Sequence, residues 1–473
     1  MGQAYYLAVD IGASSGRHIL GHIRDGKMVL EEIYRFENSM DRRDGKLLWD
    51  TRRLFAEIVS GMQMCRKKGK IPVSMSIDTW AVDYVLLDGE GQVLGDTYGY
   101  RDGRTAGLDK EVYALVPEEE LYARTGIQKQ SFNTIYQLMA VKKQAPGLLD
   151  KAEAFLMLPD YFQFLLTGEK MSEYTNGTST QLVSPKTKQW DRELIRLLGY
   201  PEEMFLPLQT PGTKVGSLKE EIRQQAGFDC EVVMCASHDT ASAVMAVPVI
   251  GGESAYISSG TWSLMGVELP QAICSRESQK GNFTNEGGYG YRFRYLKNIM
   301  GLWMVQSVRH EQKDAYSFAE LCRLAEECGG FASVVDVNDG CFLAPESMAG
   351  AVQEYCRRTG QPVPFGLGEI CRVIYQSLAE CYGRTIKELE QNTGKFFDRI
   401  QIIGGGANAG YLNQLTADIT GKDVYAGPVE ATAVGNLMAQ MIGAGELKDL
   451  SEARQCVFDS FGIEVYRPRC CGK

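Results

Sequence analysis

The chain opens as short apolar runs separated by turn residues: Tyr6-Leu7-Ala8-Val9, then His18-Ile19-Leu20-Gly21-His22-Ile23, then residues 27–36 after an Asp25-Gly26 turn. This spacing predicts three successive antiparallel strands. Asp50 precedes a predicted helix over 51–66, in which Leu54, Phe55, Ile58, Val59 and Met62 share one apolar face. A fourth strand is predicted over 71–80, then a hairpin of 81–87 with 92–94 around Asp88-Gly89-Glu90-Gly91. Three antiparallel strands, a helix and another strand is the element order of a ribonuclease-H-like domain.

Residues 100–230 read as mostly helical and polar, with 156–162 running from a strand or buried turn into an aromatic helix. A strand over 231–235 then ends at Ser237-His238-Asp239-Thr240, before a small-residue helix over 241–247. From there the opening pattern returns. Residues 255–257 lead into Ser258-Ser259-Gly260-Thr261, then strands over 262–269 and 289–295. A strand, Ser-Ser-Gly turn and strand occurring twice, half a chain apart, marks a duplicated domain. The second copy continues with a long amphipathic helix over 368–392 that buries Ile370, Ile374, Leu378, Cys381, Ile386 and Leu389. Strand 399–403, Gly404-Gly405-Gly406, helix 410–420, strand 424–425 and helix 430–442 complete it. The expected architecture is α/β, with two ribonuclease-H-like domains of the actin-like ATPase type facing a central cleft. Their expected bounds are 1–247 and 248–445, with a C-terminal tail over 446–473, and the two glycine hairpins are expected to meet around one phosphate chain.

Composition narrows the function. At 473 residues the chain exceeds one ordinary core, and 44% apolar with 23% charged residues is a globular balance. A formal net charge of −10 argues against an extended nucleic-acid surface. No apolar run is long enough to span a bilayer, and a strand at the N-terminus leaves no room for a signal peptide, so a soluble cytoplasmic protein is expected. The 13 cysteines include no C-x-x-C pair, so neither a zinc site nor a redox pair is written in them. Two places leave a disulfide open, Cys356 with Cys371 and the Cys470-Cys471 tail.

The candidate chemistry begins at residues 10–17, Asp-Ile-Gly-Ala-Ser-Ser-Gly-Arg. A turn of small residues bares backbone N–H groups that form an anion nest. Arg17 offers a planar fork to phosphate oxygens, and Asp10 approaches a nucleotide only through a cation, which suggests bridging Mg²⁺. Two other readings of the turn stay open: a ligand-free glycine hairpin, and the G-x-S-x-G elbow of a hydrolase, although the Asp25-Gly26 turn follows where that elbow needs a helix.

The motifs together carry more than any one turn. They are Ala8-Val9-Asp10-Ile11-Gly12-Ala13-Ser14-Ser15-Gly16-Arg17, Ser76-Ile77-Asp78-Thr79-Trp80-Ala81-Val82-Asp83-Tyr84, Tyr100-Arg101-Asp102, Ala236-Ser237-His238-Asp239-Thr240-Ala241, Ile257-Ser258-Ser259-Gly260-Thr261-Trp262-Ser263, Asn282-Phe283-Thr284-Asn285-Glu286, Leu296-Lys297-Asn298-Ile299-Met300-Gly301 and Ala426-Gly427-Pro428-Val429-Glu430-Ala431-Thr432. Nearly end to end, the chain resembles the FGGY group of sugar kinases, within the actin, hexokinase and Hsp70 superfamily.

That resemblance implies ATP-dependent phosphorylation of a ketose, L-rhamnulose at its C1 hydroxyl, with a small-molecule ketose and ATP as partners, no nucleic acid or membrane, and a monomer or small homo-oligomer. It implies Asp239 as the catalytic base, kept ionised by the N-terminal end of the following helix. It implies phosphate or nucleotide roles for Ala13, Ser14, Ser15, Gly16, Arg17, Thr261, Gln306, Gly404 and Gly405. Sugar contacts are implied for Ala81 through its backbone, His238, Asp239, Thr240 and Asn298, with Asp10 meeting the metal indirectly through Mg-ATP. Region 100–230 would then cover the sugar pocket. Trp80 either stacks on the sugar or belongs to the core, and Asp78 and Asp83 either bind hydroxyls or are satisfied polar groups. Ala81 stands where relatives are expected to carry glycine, so L-fuculose and xylulose remain alternative acceptors. A non-catalytic ATP-gated sugar sensor is the alternative from another class.

Overall fold

The structure, a computed structural model, describes residues 3–248 and 252–469. It divides into two compact units, and both are discontinuous in sequence. The first holds residues 1–246, 268–295 and 432–460; the second holds 247–267, 296–431 and 461–473.

The first unit is built on a six-stranded sheet. Its order is Lys214–Ser217, Glu231–Val233, Pro72–Thr79, Tyr5–Ile11, Ser15–Arg24 and Lys27–Glu37. The three opening strands pair antiparallel, while Pro72–Thr79 lies parallel to both Tyr5–Ile11 and Glu231–Val233. The seven-stranded sheet repeats this order. From Phe293–Met300 it passes through Trp262–Leu269, Ser254–Ser259, Arg399–Ile403 and Asp423–Ala426 to Glu464–Tyr466, with Thr284–Gly287 outside Phe293. Its parallel pairs join Ser254–Ser259 to Arg399–Ile403 and Arg399–Ile403 to Asp423–Ala426. The duplication therefore extends to an antiparallel edge strand in each sheet, Lys214–Ser217 and Glu464–Tyr466.

Local sequence accounts for the elements that pack on the first sheet. Helix Thr51–Lys67 starts where the Asp50 carboxylate accepts the Arg53 N–H at 2.9 Å, and it buries Leu54, Ile58, Val59, Met62 and Cys65. Of these, Leu54, Ile58, Met62 and Cys65 join Leu7, Val9, Ile11, Ile77 and Phe162 in one apolar core. A second core in the insertion gathers Tyr84, Leu86, Ile135, Leu138, Phe155, Trp190 and Phe205. Helix Leu367–Thr393 buries all six apolar residues expected of it.

Four expectations are corrected. The strand expected over 81–87 begins only at Tyr84, because Val82 sits at φ 68°, outside strand geometry. Tyr84–Leu87 keeps its hairpin with 92–94, the Leu94 N–H donating to the Leu86 carbonyl at 2.8 Å and the Asp88 N–H to the Gln92 carbonyl at 3.0 Å, and pairs along its other edge with Ala154–Met157. The strand over 289–295 begins only at Phe293, because Tyr289–Tyr291 forms a tight turn with Gly290 at φ 62°. The helix over 430–442, observed as Ala431–Gly443, was grouped with the second domain but from Thr432 belongs to the first unit. Its polar residues explain this: Gln440 Nε2 donates to the Leu7 carbonyl at 3.0 Å, and the Ser74 hydroxyl donates to Gln440 Oε1 at 2.7 Å. Residues after 445 likewise supply a helix, Leu450–Ser460, and the edge strand Glu464–Tyr466.

Cys356 and Cys371 are buried free thiols, and Cys470 and Cys471 lie outside the described residues. Among the described residues no helix is long and apolar enough to cross a membrane.

Gly435 marks the closest approach of helix Ala431–Gly443 to helix Asp239–Met245: a Cβ there would stand 1.8 Å from the Ser242 carbonyl oxygen. Backbone cannot yield as a side chain can, so Gly435→Ala is expected to cost about 1–3 kcal/mol or more. Urea unfolding checks this, and an unchanged midpoint would contradict the packing.

Candidate active site

Parallel strands release their side chains at their carboxyl ends, where α/β sheets build sites. In the first unit three aspartates gather there. Asp10 and Asp78 are register partners on adjacent parallel strands, and Asp10 also faces Arg17 across the hairpin. The next strand ends beside them: the Thr79 N–H donates to the Ser237 carbonyl at 3.0 Å, and Thr79 bridges His238, one residue before Asp239.

Few counter-charges balance these carboxylates. Arg17 donates to Asp10 Oδ2 at 2.7 Å, and Asn436 Nδ2 donates to Asp78 Oδ2 at 2.6 Å. Asp78 Oδ1 is buried with no hydrogen-bond partner among the described residues. Burial, then the charge of Asp10, raises Asp78 well above the usual carboxylate range. Burial and Asp10 likewise raise Asp239 to about 7, against the smaller opposing effects of the Thr240 N–H and Arg294. Asp239 keeps 27% of its side-chain exposure, so it remains reachable. It is the first residue of helix Asp239–Met245, with His238 as the cap. Burial and a neighbouring carboxylate thus oppose the helix end that is expected to keep Asp239 ionised.

Beside Asp239, the His238 ring is held on both nitrogens. Arg294 Nη2 lies 3.0 Å from Nδ1, and the Thr240 hydroxyl lies 3.0 Å from Nε2. Behind them Glu173, buried, accepts from the Ser237 N–H at 3.2 Å and from its hydroxyl at 2.8 Å.

Ala81 lies at the entry of a constrained loop. Val82 sits at φ 68°, a region β-branched residues avoid, and its carbonyl accepts from Thr134 Oγ1 at 2.7 Å. Asp83 fixes the surroundings. Its Oδ2 accepts from Trp49 Nε1 at 2.6 Å, Trp80 Nε1 at 2.9 Å and the Tyr100 N–H at 3.0 Å, while Oδ1 accepts from Gln137 Nε2 at 3.0 Å. The Trp80 ring packs 4.1 Å from that of Trp49. Of the alternatives left open for them, Trp80 is therefore core and Asp83 a satisfied polar group.

The glycine turn of the first unit is shorter than expected, since Ser15, Gly16 and Arg17 already belong to a strand. Its carbonyls are bonded inward: Gly12 O accepts from Asn38 Nδ2 at 2.8 Å, and Ser14 O from the Asn38 N–H at 3.0 Å.

In the second unit the corresponding hairpin tip is clamped to a helix. The Leu302 N–H donates to the Gly260 carbonyl at 3.0 Å, and the Trp303 N–H to the Thr261 carbonyl at 3.2 Å, so that helix Trp303–Glu311, with Gln306, starts against the turn. Gly301 makes this approach possible, because a Cβ there would meet the Trp262 backbone at 2.5 Å. The glycine triplet presses on the same hairpin from the neighbouring strand: Gly404, at φ 81°, leaves its Cβ direction 3.0 Å from the Ser259 carbonyl oxygen. Thr261, Gln306, Gly404 and Gly405 are thus brought to the carboxyl end of one parallel pair. Asn298, on Phe293–Met300, also lies in this unit, its Oδ1 buried without a hydrogen-bond partner among the described residues.

Residues 5–246 match the N-terminal domain, and residues 255–444 the C-terminal domain, of the FGGY family of carbohydrate kinases. The chain belongs to that family. It is 51% identical to a rhamnulokinase of Halalkalibacterium halodurans over 98% of both chains. It is 44% identical to a rhamnulokinase of Bacillus subtilis over 98% of this chain and 95% of the other. The gluconate kinase of Lactobacillus acidophilus shares the two-domain fold, with a TM-score of 0.81 at 17% identity over 99% of this chain and 94% of that one.

For this FGGY kinase the motifs did not disclose the supporting residues. Asn436 and Gln440 lie far along the chain in a helix of ordinary pattern, and Arg294 occupies one position of a strand whose neighbours are aromatic. Only the Asn-Phe-Thr-Asn-Glu run ending at Glu286 gave a signal, without a role. Asp83→Ala strands the buried Trp49 and Trp80 indole N–H groups, each costing about 1–3 kcal/mol, and removes a partner from the Tyr100 N–H and from Gln137, which keeps the Val82 and Phe132 carbonyls. The expected loss in urea unfolding is at least about 3 kcal/mol, against about 1 kcal/mol for Trp80→Phe, which removes one bond.

Proposed function

We propose that this carbohydrate kinase transfers the γ-phosphoryl group of ATP to the C1 hydroxyl of L-rhamnulose, with Asp239 as the base. The observation that carries the reading is an accessible carboxylate raised to about 7, beside a histidine and a threonine, in a chain 51% identical to a rhamnulokinase over nearly its whole length. A general base works best when its proton affinity lies near the working pH. Asp239 takes the hydroxyl proton as the sugar oxygen bonds to the γ-phosphorus; the bond from that phosphorus to the β-phosphate bridge oxygen breaks, and ADP departs.

His238, Thr240 and the Ala81 backbone bind the sugar in this reading, together with Asn298, whose buried unpartnered oxygen suits a sugar hydroxyl. Ala13, Ser14, Ser15, Gly16 and Arg17 serve the phosphates, and Thr261, Gln306, Gly404 and Gly405 the nucleotide. The donor set also fits Mg²⁺, a hard cation that takes oxygen ligands. Asp10 would meet such an ion indirectly, through the nucleotide, and the chemistry the ion would supply is to neutralise phosphate charge.

A coupled assay of ADP release with MgATP and a ketose panel tests the assignment. The highest kcat/KM is expected for L-rhamnulose; a preference for L-fuculose or D-xylulose would move the acceptor, and tight ATP binding with no turnover on any ketose would favour the sensor. Asp239→Asn is expected to keep ATP binding and lose about 10²–10⁴-fold in kcat. The pH dependence follows from the sign of the shift. The base acts as a carboxylate, and its proton affinity is raised, so kcat/KM falls about tenfold per pH unit below about 7 and is level above it. A profile flat down to pH 5 would contradict the role of Asp239.

A further inference from the structure

Arg294 is fully buried, and every one of its nitrogens is engaged. Nε donates to the Gly287 carbonyl at 2.9 Å, Nη1 donates to Thr240 Oγ1 at 2.7 Å, and Nη2 stands 3.0 Å from both His238 Nδ1 and Glu286 Oε2. A guanidinium has donors only and cannot give up its proton in a protein. A nitrogen 3.0 Å from it therefore accepts, so His238 Nδ1 carries no proton and the ring proton must sit on Nε2. A doubly protonated ring is excluded by the same geometry, since it would set N–H against N–H. Glu286 supplies the compensating charge without which a buried guanidinium would be costly. We propose that Arg294, neutralised by Glu286, is a positioning residue that fixes His238 as its Nε2–H tautomer, so that His238 donates to Thr240 and leaves the Thr240 hydroxyl as a hydrogen-bond donor toward the acceptor sugar.

The polarity of the network follows from Arg294 outward. Thr240 Oγ1 accepts from Arg294 and lies 3.0 Å from the His238 Nε2–H, so its own hydroxyl proton is directed elsewhere. The site then presents one donor, the Thr240 hydroxyl, beside one acceptor, Asp239. A sugar oxygen that offers lone pairs is bound by Thr240, and the hydroxyl that gives up its proton is left to Asp239. This division sorts neighbouring oxygens of one ketose, and it rests on the reading that Thr240 meets the sugar. The charged groups facing the imidazole are Arg294 and Glu286 on the Nδ1 side and Asp239, 3.6 Å from Nε2, on the other; Glu173 lies behind Ser237. Burial and the Arg294 charge both hold His238 well below the ordinary histidine range, in keeping with a neutral ring.

The direct test is a long-range ¹H–¹⁵N spectrum of the imidazoles in the full chain without substrate. There are four histidines, and His238→Gln assigns the signal. The expected result is a bare Nδ1 and a protonated Nε2 for His238, unchanged from pH 6 to 8. A protonated Nδ1, or a ring that titrates in that range, overturns the proposal whether or not any ketose is turned over, so its failure is separate from failure of the kinase reading. In Arg294→Met the ring is expected to lose its single tautomer and to titrate between pH 6 and 8 beside Glu286. The KM for L-rhamnulose is expected to rise roughly tenfold or more and to become pH-dependent over the same range, while the KM for ATP stays unchanged. An unaltered His238 signal in a folded variant overturns the proposal. If that variant does not fold, the wild-type spectrum still decides it.

Discussion

Two carboxylates forced side by side by strand register, with a third at the end of the next strand, are the constraint on which the first unit depends. Asp10 and Asp78 cannot move apart without slipping a buried sheet, because a shift of one residue would send Leu7, Val9 and Ile77 to the wrong face. One arginine and one asparagine amide partner them, and little water reaches Asp78. The local electrostatics therefore favour a proton, and Asp239 shares in that preference. A carboxylate that would ordinarily be a weak base becomes one matched to neutral pH.

The same strand order appears twice, yet the two copies use it differently. In the first, the carboxyl ends of the parallel strands carry acids. In the second, the equivalent ends carry Ser259 and the glycine triplet, where backbone approaches backbone and side chains would clash. Glycine and carboxylate are opposite solutions at one topological position: one lets neighbouring backbone approach closely, the other concentrates charge. Both rest on neighbours that lock the turn, Asn38 for the first hairpin and the start of helix Trp303–Glu311 for the second.

Much of the fold was legible in sequence because it is local. Turn residues at 12–16 and 25–26, the Asp50 cap and the period of helix 367–393 each set structure within a few residues. The family and the candidate site residues came from ordered motifs. What stayed hidden is long-range. Helix Ala431–Gly443 joins the first unit through Asn436 and Gln440, more than 350 residues from their partners. Trp80 and Asp83 read equally as ligand-binding or structural until Trp49 appeared beside them. The raised proton affinity of Asp239 is hidden for the same reason: the helix end is visible in the sequence, whereas partial burial and the nearness of Asp10 are not.

The most direct test of this account is the titration of Asp239 itself, by ¹³C NMR of labelled aspartate carboxyl carbons in the free protein, with Asp239→Asn identifying the signal. The account predicts a midpoint near 7 that moves down in Asp10→Asn, where the neighbouring charge is removed. A midpoint near 4, the value of an ordinary aspartate, or one indifferent to Asp10, would contradict it.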